Sequence, residues 1–145
     1  MTIPENLTKD LVELRLRHFE KAMVADLAEH QPAERDRFVS LLKRWVRVEV
    51  AERKTAAIQN RVKSAKFVKV QTIDQFNFEH NAVTKKIRSN YLSLFDSIDG
   101  EDLPSAVFIG SSGAGKTHLA RSLGYRACQL NHSVVFITAA EMVCW

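Results

Sequence analysis

Gly110-Ser111-Ser112-Gly113-Ala114-Gly115-Lys116-Thr117 follows the apolar run Ala106-Val107-Phe108-Ile109 and precedes a stretch where Leu119, Ala120, Leu123, Ala127 and Leu130 recur three and four residues apart. The eight residues satisfy G-x-x-x-x-G-K-[ST], and the flanks read as a strand before and a helix after. Glycines at these spacings let consecutive backbone N–H groups turn inward and approach a ligand closely. Lysine adds a mobile cation, threonine a hydroxyl for Mg²⁺, and a helix beginning at the end of the loop turns its positive end toward bound anions. A concave set of donors on one short stretch suits a nucleoside triphosphate. The bland alternative, a Gly/Ser-rich loop with a merely solvated lysine, does not account for the correct flanks.

Beyond this helix, Val134-Val135-Phe136-Ile137 reads as a second buried strand after a turn at Asn131-His132. Thr138-Ala139-Ala140-Glu141 has the S/T-x-x-E spacing of a capping box that would open one more helix. The expectation from these elements is the start of a βαβ unit.

Charge is distributed unevenly. Between Arg35 and Lys69 there are eleven basic and three acidic residues, a local net charge of +8, whereas six basic face seven acidic residues from Gln71 onward. Leu16, Phe19, Met23 and Leu27 mark a first amphipathic helix, and Gln31-Pro32 interrupts it. Phe38, Leu41, Leu42, Trp45 and Val48 mark a second, continuing through Ile58 and Val62. Apolar stripes backed by cations suit a small helical module that offers positive charge to phosphate, with Arg44, Arg47, Arg53, Lys54, Arg61 and Lys63 as candidate contacts to DNA or a partner. A solvated lysine/arginine face is the alternative reading.

Thr72-Ile73-Asp74-Gln75-Phe76-Asn77-Phe78 reads as an extended segment or tight turn with two aromatic anchors; Phe76 and Phe78 pack in a core or, less simply, flank a base. Val83, Ile87, Tyr91, Leu94 and Ile98 form a further helical stripe closed by Asp99-Gly100, and an acidic loop ending at Pro104 follows. Cys128 and Cys144 read as buried or incidental thiols. The five histidines lack ligand spacing, and His118 is expected on a helix surface. No apolar run reaches the roughly 20 residues that span a bilayer, and Glu5, Lys9 and Asp10 stand where a secretory signal needs an apolar core. A cytoplasmic protein is expected, with no membrane partner.

Three ordered segments, Ala65-Lys66-Phe67, Thr72 to Phe78, and Gly115-Lys116-Thr117-His118-Leu119-Ala120 with Ser122 to Cys128, resemble the IstB-like ATPases of insertion sequences. These are AAA+ transposition helpers related to the DnaC-type helicase loaders. Val68 stands where that family usually has proline. The resemblance implies an α/β fold: a basic helical module over residues 1–70, then over 71–145 the first part of a P-loop AAA+ domain with an incomplete sheet. It further implies ATP and Mg²⁺ as cofactors, non-specific double-stranded DNA and a transposase as partners, and self-association. It also implies an acidic Walker B pair, a sensor and an arginine finger, yet Glu141 is the only acidic residue after Thr117. The chain therefore reads as cut within a domain, with ATP binding retained and the family's hydrolysis lost. A helicase loader, a small-molecule P-loop kinase and a non-enzymatic remnant that only binds partners are the alternative classes.

Overall fold

A computed structural model describes residues 3–100 and 103–144. Glu101, Asp102 and Trp145, at the acidic loop and the chain end, lie outside the described residues. The chain divides into two compact units, Met1–Ala57 and Ile58–Trp145.

The first unit is built on α1 (Glu5–Glu13), α2 (Arg17–Ala28) and the greater part of α3 (Pro32–Ser64). Pro32 opens α3, where a missing N–H costs nothing, and the helix then continues through Ile58 and Val62 as the apolar spacing predicts. The apolar stripe from Leu16 to Leu27 corresponds to α2, and α1 is a further helix ahead of it that the sequence reading did not assign. α1 ends in a Schellman arrangement, with Leu16 N–H donating to the Leu11 carbonyl at 2.9 Å and Arg15 N–H to Val12 at 3.0 Å. Arg15 takes the left-handed position at φ 61°. Leu7, Leu11 and Leu14, one face of α1, pack with Val46 and Val50 of α3, and Met23, Val39 and Leu42 close the cluster.

In the second unit, Ile73–Gln75 and Phe78–His80 form two short 3₁₀ turns, each led by a capping side chain, and α4 (Ala82–Ser97) follows. Asn81 caps α4 by accepting the Thr84 N–H at 2.8 Å. Thr84 is buried where the stripe would have placed Val83, whose side chain is 68% exposed. α5 (Lys116–Gln129) also ends in a Schellman arrangement: Asn131 sits at φ 72° and His132 N–H reaches the Ala127 carbonyl at 2.9 Å. The core joins Phe78, Tyr91 and Leu119, with Ile73, Phe76, Ile87, Phe95, Phe108 and Leu123 against it. Thr138 and Glu141 form the expected capping box at the head of α6 (Ala139–Val143). Cys128 is buried and Cys144 exposed, both as free thiols.

The α/β expectation is not met. Among the described residues there is no strand and no sheet; all regular structure is helical. Ala106–Ile109 and Val134–Ile137 carry strand-like sequence but make no backbone hydrogen bonds to each other, and the one such bond from the second segment runs from Phe136 N–H to the Ala65 carbonyl at 2.9 Å. A strand exists only through its ladder, so β-branched composition without an adjacent partner leaves irregular chain. Val107 and Ile109 are accordingly 85% and 92% exposed rather than buried.

Candidate phosphate-binding loop

The loop Gly110–Thr117 owes its shape to two glycines and a lysine. Gly113 and Gly115 lie at φ 77° and 83°, a region that side chains with a Cβ enter only with strain. Gly115 is the N-cap of α5 and has no side chain to offer as a cap, so the helix opens directly from the loop. The first-turn N–H groups of Lys116, Thr117 and His118 have no carbonyl one turn behind them, and the first intrahelical bond is Leu119 N–H to Gly115 at 3.0 Å. No acidic side chain stands in this turn to neutralise its positive end.

Lys116 folds back across the loop. Its ammonium donates to the Gly110 carbonyl at 2.9 Å and to the Ser111 carbonyl at 2.7 Å. A mobile cation is thus held at the loop's entrance by neutral acceptors, and among the described residues no carboxylate pairs with it. Ser111, Ser112 and Thr117 are exposed, and Ala114 is half-buried. A cleft of about 490 Å³ adjoins the loop, lined by Ile87, Tyr91 and Leu94 of α4 and by Phe108, Gly110 and Lys116.

The loop rests on the segment that precedes α4. Phe76 lies against Gly115 so closely that a Cβ there would penetrate its ring. The ring meets His118 edge-on, centroids 5.2 Å apart, and Phe78 at 4.7 Å. Of the two aromatics, Phe78 is buried in the core beside Tyr91, whereas Phe76 backs the loop. His118 does not occupy the free helix surface that sequence reading assigned it. It is half-buried, with Nε2 at 2.9 Å from the Thr72 carbonyl and Nδ1 at 3.1 Å from the Gln71 amide nitrogen. Gln71 in turn accepts from Arg121 at 3.1 Å. These partners lie 46 to 50 residues apart, so no local pattern announces them.

Beneath the loop, the Tyr91 hydroxyl reaches the Leu119 carbonyl at 3.0 Å and Ser122 Oγ at 2.5 Å. Burial pushes the Tyr91 phenol above its ordinary value, and the Ser122 hydrogen bond acts in the opposite direction. The buried face of α5 therefore uses Leu119, Ser122 and Cys128.

The candidate cations of α3 differ in their freedom. In the first unit, Arg44 and Arg47 are exposed, whereas Arg53 binds Glu49 at 2.7 Å and Lys54 pairs with Glu13 at 3.2 Å. In the second unit, Lys63 is exposed, but Arg61 is half-buried with one guanidinium nitrogen withdrawn from solvent. Among the described residues, no helix is long and apolar enough to cross a membrane.

A family model described as IstB-like ATP binding protein matches residues 9–144. The chain is 31% identical, over 117 residues, to a protein named for ATP binding in insertion sequence IS5376 of Geobacillus stearothermophilus, covering 81% of this chain and 46% of that protein. It is 29% identical over 140 residues to a protein similarly named for insertion sequence IS232 of Bacillus thuringiensis, covering 96% of this chain and 54% of that one. A shorter match, 29% over 87 residues, joins 59% of this chain to 32% of a protein named for ATP binding in insertion sequence IS21 of Pseudomonas aeruginosa. The chain thus spans about half the length of the first two relatives.

Proposed function

This chain belongs to the family of IstB-like ATP-binding proteins of insertion sequences, and from that premise we propose that it binds ATP through Gly110, Ser111, Ser112, Gly113, Ala114, Gly115, Lys116 and Thr117. The observation that carries the reading is the Lys116 ammonium resting on the Gly110 and Ser111 carbonyls at the mouth of a loop with two left-handed glycines. Lys116 exchanges those neutral acceptors for charged phosphate oxygens, which adds attraction between opposite unit charges to the hydrogen bond. The N–H groups heading α5 supply further donors, and the positive end of that helix favours the negative charge.

The donor set also fits Mg²⁺, a hard cation that takes oxygen ligands. Thr117 is exposed at the head of α5, next to Lys116, and its hydroxyl would hold the ion. When bound, Mg²⁺ neutralises part of the triphosphate charge.

The wider role proposed for this chain is that of an ATP-dependent helper of transposition in the cytoplasm, associating with itself and with double-stranded DNA and stimulating a transposase. Nucleotide is assigned to residues 71–145 and partner contact to the basic helices of 1–70. Arg44, Arg47 and Lys63, exposed on α3, lead the candidate DNA contacts. Arg53 and Lys54 must first release Glu49 and Glu13. Arg61, half-buried, contributes less. Such phosphate contacts carry little sequence preference.

Titration of the full chain with a fluorescent ATP analogue and Mg²⁺ tests the nucleotide assignment. Saturable binding that Lys116→Ala abolishes is the expected result; binding that Lys116→Ala leaves intact places the ligand elsewhere and refutes the assignment.

A further inference from the structure

α5 starts without any side-chain cap, from a glycine in the left-handed region. A helix end of that kind is free to fray or rotate, yet its first turn must present N–H groups and Lys116 in one orientation if the loop is to grip an anion. We propose that His118 is the positioning residue for this first turn, pinning it to the Gln71 side-chain amide and the Thr72 carbonyl through a directed chain of hydrogen bonds that starts at Arg121. The proposal rests on the nucleotide-binding reading of Gly110–Thr117 and names what orients that site.

The direction of the chain follows from the chemistry of each group. Arginine only donates, so Gln71 Oε1 accepts from Arg121, which leaves the Gln71 amide NH₂ facing His118 Nδ1 as a donor. His118 Nδ1 therefore accepts. The Thr72 carbonyl can only accept, so His118 Nε2 carries the proton and donates to it at 2.9 Å. The bonds joining Arg121 Nη1, Gln71, His118 and Thr72 are mutually consistent in one arrangement, that of the Nε2–H tautomer, while Arg121 Nε stays buried without a partner among the described residues. Reversing the Gln71 amide would set its NH₂ against the Arg121 guanidinium.

The anchor at the far end is itself fixed. Thr72 belongs to a capping box with Gln75 around the Ile73–Gln75 turn, and the next residue, Phe76, closes over Gly115 and touches the His118 ring edge-on. His118 directly follows Thr117, so rotation of its backbone carries the Lys116 and Thr117 N–H groups with it. Its side chain bonds Gln71 and Thr72 and makes none of the bonds that Lys116 makes to the Gly110 and Ser111 carbonyls, so its effect on affinity is exerted through the orientation of others.

The test uses the full chain and the same fluorescent ATP analogue. His118→Ala is expected to weaken binding about tenfold, the scale of one or two lost hydrogen bonds, with helical circular dichroism unchanged. His118→Gln places an Nε2 donor at the same number of bonds from Cα and is expected to restore affinity to within about twofold. Nitrogen-15 NMR of the His118 ring is expected to show the Nε2–H tautomer. Wild-type affinity in His118→Ala, a glutamine variant no better than alanine, or an Nδ1–H ring would overturn the proposal. If His118→Ala loses helical signal, Gln71→Ala, outside α5, is read in its place: the same weakening supports the chain of bonds and wild-type affinity refutes it. Lys116→Ala separates the two levels, because binding that survives it, or no binding by the wild-type chain, removes the nucleotide reading itself and the positioning role with it.

Discussion

Adding one methyl group to each of two glycines separates backbone strain from packing in the loop. Gly113 and Gly115 both lie in the left-handed region, at φ 77° and 83°. A Cβ on Gly113 would meet nothing within 4 Å, whereas one on Gly115 would enter the Phe76 ring. Gly113→Ala should therefore cost only the left-handed strain, ~1–2 kcal/mol. Gly115→Ala adds an overpacking cost of ~1–3 kcal/mol, for a total of ~2–5 kcal/mol. Removing the ring first should cancel the second part: in a Phe76→Ala background, Gly115→Ala should fall back to ~1–2 kcal/mol, while Gly113→Ala is unchanged. Native-state amide exchange of Leu119 to Cys128, the buried span of α5, reads these differences locally. Equal costs at the two glycines, or a Gly115→Ala cost that does not depend on Phe76, would refute the claim that Phe76 backs the loop.

Three further outcomes follow from the packing and charges. Leu11→Ala removes a fully buried side chain from the first unit's core and should cost ~2–5 kcal/mol, read as faster amide exchange in α1; a loss under ~1 kcal/mol would mean that α1 is not seated there. Arg44→Ala and Arg47→Ala should weaken DNA binding uniformly across sequences and reduce the slope of log affinity against log salt by about 1 each; an unchanged slope in filter-binding or anisotropy titrations would place the contact elsewhere. Glu141 accepts from the backbone N–H and hydroxyl of Thr138, which holds its carboxyl below the ordinary range, with the Lys66 charge acting in the same direction. A depressed folded pKa means that this stabilisation is present above the unfolded value and lost as pH falls through the folded one. Protection factors at Glu141 and Met142, taken after correction for the intrinsic pH dependence of exchange, should thus fall in acid, and Glu141→Gln, which keeps the capping geometry, should remove that fall.

Features with short-range causes are legible in the sequence. Gly110–Thr117, the Thr138–Glu141 capping box and the turn at Asn131 each depend on residues within a few positions of one another, and the structure places them accordingly. The long α3 is legible because apolar positions recur from Phe38 to Val62 with no glycine or proline between them. The break after α1 is not, because the left-handed position is taken by Arg15, a residue that carries no turn signal. Strand composition misleads at Val107–Ile109 and Val134–Ile137, since a ladder depends on a neighbour that composition does not reveal. The His118 network is invisible for the same reason: its partners, Gln71 and Thr72, are brought near only by the packing of Phe76 and Phe78 under α5.

The most direct test of the central claim is to observe the backbone amides of the nitrogen-15-labelled chain during titration with ATP and Mg²⁺. Saturable shifts concentrated at Gly113 to His118, absent in Lys116→Ala, are the predicted result. Shifts that leave these amides unmoved while others respond, or that persist in Lys116→Ala, would contradict the assignment of this loop as the nucleotide site.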